Sequence, residues 1–575
     1  MTRRSTPLRG SSWSRPVAAT AAAAMGLLAA LVPLALPSAQ AAPANACDKQ
    51  SNNTYQKLLE CIDAESVMEH ERVFQAIGDA NDDQYYPGSR AAGTEGYDAS
   101  ADYVVTQLER AGWEVTLDPV DVTYFVPPVL RQLTPVTADY ETGVFTGSGF
   151  GTVEGNVIPV DLNLEGTRAS DSGCTADDFD GLDFSGDNDI ALIQRGTCGF
   201  ANKSRNAEDA GAEAVIIFNQ GNTPDRMALI VGTAANLDNN GGPSNLTIPV
   251  VGASFDDGVA LAQTGSTAFV EVLAPETRED FNVIAENPGE NEDNVVMAGA
   301  HLDSVTAGPG INDNGTGSSA LIELAQKMRE IDNVNTLRFA WWAGEEQGLV
   351  GSEDYVNGLP DSELDKIAAY VNFDMIGSPN FIYGVYDADE SGFPAPDGVP
   401  IPDGSEPLED LFEIFFTWQQ IPYEDSEFSG RSDYQAFILN GIPASGLFTG
   451  AEVPKTGEQE AIWEGVAGES YDPCYHENCD SLNPTHPDRD PAVYAELLAE
   501  NDLVGNVSLE ALGVNSDAIA FALLTLAYST EDVNGVPGEQ VPGSRPLRLP
   551  TEPAGPEGTI GSDGGDHHDH VGPEA

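Results

Sequence analysis

The stretch NVVMAGAHLDSVTAGPGINDNGTGSSALIELAQKMREI, residues 294–331, decides the fold class. It opens on an apolar run, Asn294–Ala298, whose Val295-Val296 pair suits a buried strand. It closes on Ser318–Ile331, where apolar residues recur at helical spacing. Between them lies a polar, Gly-rich loop carrying His301, Asp303 and Asp313. The same grammar returns twice: Thr336–Trp342 runs into Gly344-Glu345-Glu346-Gln347, and Ile367–Phe373 runs into Asp374. Strands alternating with helices predict an α/β fold, a mixed β-sheet flanked by helices. Each of these polar residues falls at the carboxyl end of a predicted strand, where open α/β sheets form their ligand crevice.

The histidines narrow the chemistry. Of seven, His567, His568 and His570 sit in an acidic C-terminal segment, His70 in an N-terminal helical region, and His486 in a Pro-flanked loop. His301 and His476 remain, each in a dense polar context. Two imidazoles and several carboxylates meeting at one crevice suit a hard-to-borderline divalent cation. A bridging carboxylate can hold two such ions ~3.5–4 Å apart and share a water between them. Asp303, two residues beyond His301, is placed to accept from the other imidazole nitrogen and fix its tautomer. At the Glu345-Glu346 doublet one carboxylate can bind metal while the other, Glu345, serves the water as a base. With 93 acidic residues, acidic pairs arise by chance. The weight therefore rests on their joint placement at strand ends.

Longer motifs carry a resemblance. GAHLDSV, GPGINDNGTGSSA, LRFAWWAGEEQGLVGS, YVNFDMIGSPN, GRSDYQAF, SGLFTG and CYHENCDSL resemble the zinc aminopeptidases of peptidase family M28, particularly the secreted Streptomyces type. Tyr85–Gly112 is similar to that family's N-terminal portion. The resemblance implies two zinc ions, one held by His301, Asp313 and Asp374, the other by Asp313, Glu346 and His476. It implies Glu345 as general base and then acid, and Tyr475 as hydroxyl donor to the tetrahedral oxyanion. It further places Arg431 beside the amine pocket and Phe448 in the side-chain pocket. The segment ALIQRGTCGF, residues 191–200, running on through Lys203 to Phe218, resembles a protease-associated (PA) domain, a non-catalytic module.

Outward from this centre, the 575-residue chain carries 25 Lys+Arg against 93 Asp+Glu, a formal net charge of −68. Such a surface repels nucleic acid and anionic lipid, and itself unless salt screens it, which suggests a saline habitat. Arg3, Arg4, Arg9 and Arg15, the apolar run Val17–Leu36 and Ala39-Gln40-Ala41 read as a secretory signal peptide over residues 1–41, so the protein is expected outside the cell and free of membrane. Six cysteines fall into local pairs, and three short-range disulfides are expected: Cys47–Cys61, Cys174–Cys198 and Cys474–Cys479. The expected organisation is an N-terminal part of the peptidase domain (42–134), an inserted PA domain (135–274), the catalytic remainder (275–530) and a disordered acidic tail (531–575).

Together these features predict a secreted metalloaminopeptidase releasing N-terminal, leucine-like residues from peptide or protein N-termini. The alternatives are a carboxypeptidase or other hydrolase of the same metal fold, and a non-enzymatic binding relative. Scarcity of basic residues near the motifs speaks against the first, and the complete ligand set against the second.

Overall fold

The computed structural model of the chain describes residue 47 and residues 50–235, 246–395 and 399–545. The expected signal peptide and the three tail histidines lie outside these residues. A short helix, Tyr55–Leu59, is followed by helices Ala64–Ala80 and Glu95–Ala111. Asp63 and Thr94 cap the N-termini of the two longer ones by accepting from the N–H of Ser66 and Tyr97, and Gly112, at φ 93°, ends the latter in the left-handed conformation.

Strand β1 (Glu114–Tyr124) follows, and the chain then leaves for a separate sheet built from β2 (Val129–Thr134), β3 (Ala138–Tyr140), β4 (Gly151–Val160), β5 (Ile190–Gln194), β6 (Ala214–Phe218), β7 (Val250–Ala253) and β8 (Thr267–Val272). It returns through β9 (Glu276–Asn287), β10 (Asn291–His301), β11 (Asn335–Trp342), β12 (Ile367–Phe373), β13 (Gly384–Tyr386), β14 (Glu424–Ser426) and β15 (Ala444–Phe448). The insertion forms a seven-stranded sheet in the order β3-β2-β8-β4-β5-β6-β7, and the remaining strands an eight-stranded sheet in the order β1-β9-β11-β10-β12-β15-β13-β14.

The two ends of the insertion explain how the larger sheet tolerates it. β1 pairs antiparallel with β9 along its length, from Glu114 opposite Glu286 to Tyr124 opposite Glu276. The insertion thus occupies the turn of a long hairpin, and its entry and exit lie side by side. Its sheet begins at Val129, ahead of the expected boundary at Pro135, and ends at Val272. Its own helices include Phe200–Ala210 and Phe255–Leu261.

β10 runs parallel to both β11 and β12 at the centre of the larger sheet. Val296, Ala298 and Ala300 face one buried cluster, Val295 and Met297 the other, as a strand covered on both faces requires. Gly299 is obligatory: a Cβ there would lie 2.2 Å from the Tyr370 hydroxyl oxygen and 2.6 Å from Trp342 Nε1. Helix Thr316–Met328 and helix Leu509–Tyr528 cover the first face. The latter is long and apolar enough to cross a membrane, but here it is packed in the core, with Ile519, Leu523 and Leu524 fully buried.

The acidic tail begins later than composition suggested. Residues Glu531–Asn534 form a helical turn, Val533 and Val541 are buried in the core, and the Glu539 N–H donates to the Tyr528 carbonyl at 2.9 Å. Two apolar anchors hold a segment that the surrounding Pro, Gly and acids made look structureless.

Candidate active site

The carboxyl ends of β10, β11 and β12 deliver His301, the Glu345-Glu346 turn and Asp374 to one crevice, while the loop before helix Thr316–Met328 brings Asp313. His476 arrives from the loop between Cys474 and Cys479, which are joined by a disulfide; the pairs Cys47–Cys61 and Cys174–Cys198 are joined as well. Met375 and His476 take positive φ angles of 50° and 57°, uncommon for residues with a side chain and typical of backbone held for function.

Asp313 sits between the two imidazoles. His301 Nε2 lies 3.1 Å from one of its oxygens, and His476 Nε2 lies 3.3 Å from the other. His301 Nε2 is also 3.2 Å from Asp374 Oδ1, and His476 Nε2 is 3.2 Å from Glu346 Oε2. Two groups of potential ligands result: His301, Glu345 and Asp374, and Asp313, Glu346 and His476. Burial opposes protonation of His476, but Glu346 and Asp313 beside it prevail and push its pKa up to about 11. The crevice demands positive charge. Glu346 Oε1, buried without a hydrogen-bond partner, is a further donor with nothing to bind. Imidazole nitrogens and carboxylate oxygens gathered at this spacing fit divalent cations of the zinc class.

Asp303 differs in detail from expectation. His301 Nδ1 lies 3.1 Å from the backbone carbonyl of Asp303 and 3.7 Å from its carboxylate. The carbonyl therefore sets the tautomer that leaves Nε2 free for a cation. The carboxylate instead accepts from the N–H of Glu345 at 3.1 Å and of Glu346 at 3.4 Å, orienting the doublet.

A cavity of about 120 Å³ opens against the cluster, lined by Glu345, Asp374, Arg431, Phe448, Tyr475 and His476 among others. Glu427 and Glu452 line it as well, with Met375, Ala451 and Val453 supplying apolar wall. Glu345 is buried, and burial holds its carboxyl well above the ordinary range. Arg431 Nη2 donates to the Tyr475 hydroxyl at 3.0 Å while Nη1 holds Glu452 at 2.6 Å. The Tyr475 ring stacks on His476 at 3.8 Å between centroids.

Several supporting residues are not singled out by residue type or spacing. Ser432 donates to Asp374 Oδ2 at 2.6 Å, and Asp433 beside it is fully buried, burial pushing it up to about 7. Asp480 accepts from the N–H of Asn312 and of Asp313 at 2.8 and 3.0 Å, tying the bridging loop to the disulfide loop. Arg90, fully buried, donates to the carbonyls of Leu302, Pro309 and Gly310 and so clamps the loop between His301 and Asp313. For Ser432 and Asp433 the sequence signal is their place in GRSDYQAF, and for Asp480 its place in CYHENCDSL.

The profile of peptidase family M28 matches residues 282–499, and that of the PA domain matches residues 153–261. An aminopeptidase of Pseudomonas aeruginosa is 42% identical over 487 residues, covering 83% of each chain. A probable lipoprotein aminopeptidase of Mycobacterium tuberculosis, LpqL, is 37% identical over 489 residues, covering 83% of this chain and 87% of its own. Leucine aminopeptidase 2 of Trichophyton rubrum is 41% identical over 382 residues, covering 66% and 68%. Among solved structures, the aminopeptidase from Aneurinibacillus sp. strain AM-1 superposes with a TM-score of 0.50 at 25% identity, covering 86% of this chain and 99% of that one. A zinc aminopeptidase from Bacillus subtilis shares the fold at TM-score 0.50 and 22% identity, over 80% and 94%.

The chain belongs to peptidase family M28, with a PA domain set inside it. It is a hydrolase of the metalloaminopeptidase class.

Proposed function

We propose that the protein is an exported, dinuclear zinc aminopeptidase that releases apolar N-terminal residues from peptides. The observation that carries this is Asp313, whose two oxygens face two different imidazoles at 3.1 and 3.3 Å. His301, Asp313 and Asp374 would hold one ion, and Asp313, Glu346 and His476 the other. Zinc is the ion the imidazole and carboxylate donors favour, and it is named in the Bacillus subtilis neighbour. Bound there, two zinc ions supply Lewis-acid activation of a water and of the scissile carbonyl.

The chain's own residues do the rest. Glu345 takes a proton from the attacking water and returns it to the leaving nitrogen. The Tyr475 hydroxyl, held by Arg431, donates to the oxygen that becomes negative, and the guanidinium adds its charge on the same side. A guanidinium repels an ammonium, so the substrate α-amine belongs with the cavity carboxylates that Arg431 does not hold, Glu345, Asp374 and Glu427. Met375, Phe448, Ala451 and Val453 leave an apolar space for the first side chain. The PA domain, bounded by residues 129–272, stands apart from this chemistry. The three disulfides fit an oxidising destination, and a mature chain beginning at Ala42 in secreted material would check export.

The test compares leucine amide with N-acetyl-leucine amide, before and after chelation and zinc return. Cleavage of the free-amine form only, lost with the metal and restored with it, is the expected result. Equal cleavage of the acetylated form, or release of C-terminal residues instead, would overturn the reading.

A further inference from the structure

A second cavity, of about 220 Å³, also opens against the ligand cluster. Of the residues lining the first cavity it shares only His476. The first cavity holds Asp313, Glu345 and Asp374; the second holds Glu346 and Asp303. The cluster therefore borders two distinct spaces. A peptide with its α-amine and first side chain in one space and its scissile carbonyl at the cluster has the other open to the rest of its chain.

The second cavity is built, not a gap between loose loops. Tyr86 donates its hydroxyl to the Phe125 carbonyl at 2.6 Å, and Tyr124 donates to Asp83 Oδ1 at 2.7 Å. The two rings meet edge to face at 5.5 Å, and the Arg278 guanidinium lies 3.2 Å over the Tyr124 ring. Gln347 accepts from the Thr123 N–H at 2.8 Å, fixing the adjoining wall. With both phenol hydroxyls engaged, the aromatic wall presents ring carbon to the space. Ala91, Ala92 and Ala307 add small apolar side chains to the lining, and the only charged groups on it besides His476 are Asp303 and Glu346. Phe125 belongs to the four-residue link between β1 and β2, so the attachment of the inserted domain forms part of this wall.

We infer that this cavity is the leaving-group subsite and selects the second residue of the substrate, favouring an aromatic or large aliphatic side chain and rejecting Asp and Glu. This rests on the aminopeptidase reading above. The apolar surface gains by excluding water from such a side chain, while no Lys or Arg lines the cavity to pair with an acidic one.

Hydrolysis of Leu-Xaa-NH2, with Xaa as Phe, Leu, Ala, Gly and Asp, measures this on the full-length protein, with leucine amide as the substrate lacking a second side chain. In the wild type kcat/KM for Phe should exceed that for Gly by about tenfold or more, the discrimination an apolar pocket supplies, with Asp lowest. Thr306→Trp, which fills the cavity, should cut the Phe-to-Gly ratio at least about fivefold while keeping the preference for Leu over Gly at the first position. A flat wild-type series would overturn the assignment, whatever the variant does; so would a Phe preference untouched in a folded Thr306→Trp. Failure to cleave any free-amine substrate, leucine amide included, would remove the aminopeptidase reading and this inference with it.

Discussion

Glu345 and Tyr475 face the same cavity with different tasks, and single substitutions separate them. Glu345→Gln keeps the shape of the side chain and removes the proposed base. It should lower kcat by about 10²–10⁴, while elemental analysis finds the bound metal unchanged. Tyr475→Phe deletes one oxyanion donor and should cost ~10²–10³ in kcat with little effect on KM. Wild-type turnover in either would show that the hydroxyl or carboxylate acts elsewhere. At this scale the sequence was legible where chemistry is rare: only two of seven histidines stood in plausible surroundings, and both reach the site. It was illegible where function depends on burial. Nothing local to Ser432 or Asp433 says that one will meet Asp374 and the other lie wholly shielded from water, because the shielding comes from strands far away in sequence.

Among elements, the loop from His301 to Asp313 decides whether the ligands converge. Arg90 holds it through three carbonyls, and its charge faces Glu71, a fully buried carboxyl that burial holds well above the ordinary range despite the guanidinium. Arg90→Met would leave three carbonyls and a buried carboxyl without a partner. A loss of about 3–5 kcal/mol in stability is expected, together with weaker zinc binding in chelator competition. The Glu71→Gln/Arg90→Met pair should recover part of the stability but not the metal affinity. Recovery of both would mean that the clamp merely stabilises the fold. Strands β10, β11 and β12 were readable because parallel strands covered on both faces spell out continuous apolar runs. β1 was not: it is an edge strand of its sheet, buries no residue over Glu114–Pro119 and carries Pro119, so its alternation shows only from Val120 on. Its partner β9 lies beyond the insertion, and no local pattern announces a pairing across an entire domain.

For the molecule as a whole, charge sets the stability profile. Burial pushes Glu409 up to about 9, Glu413 up to about 7 and Asp425 up to about 6. The folded protein keeps these protons while the unfolded chain has released them by pH ~4.3, the usual glutamate value. Their contribution is thus fully present below the unfolded value and lost as pH rises through the folded ones. The thermal midpoint should fall between about pH 6 and 9, and Glu409→Gln should flatten that slope. Lys203, lowered by burial to about 8, pulls the other way: above about pH 8 the unfolded chain binds the proton that the native state has shed. A net charge of −68 adds self-repulsion, so the midpoint should rise with NaCl. A profile indifferent to salt would remove the argument for a saline habitat.

The central claim is a pair of metal ions sharing Asp313. Calorimetric titration of zinc into chelator-stripped protein, with activity followed on the same samples, addresses it directly. The account requires two equivalents bound per chain in the wild type, recovery of leucine amide hydrolysis as they bind, and disruption of both sites in Asp313→Ala. Saturation at one equivalent with full activity, or activity in the stripped protein, would contradict it.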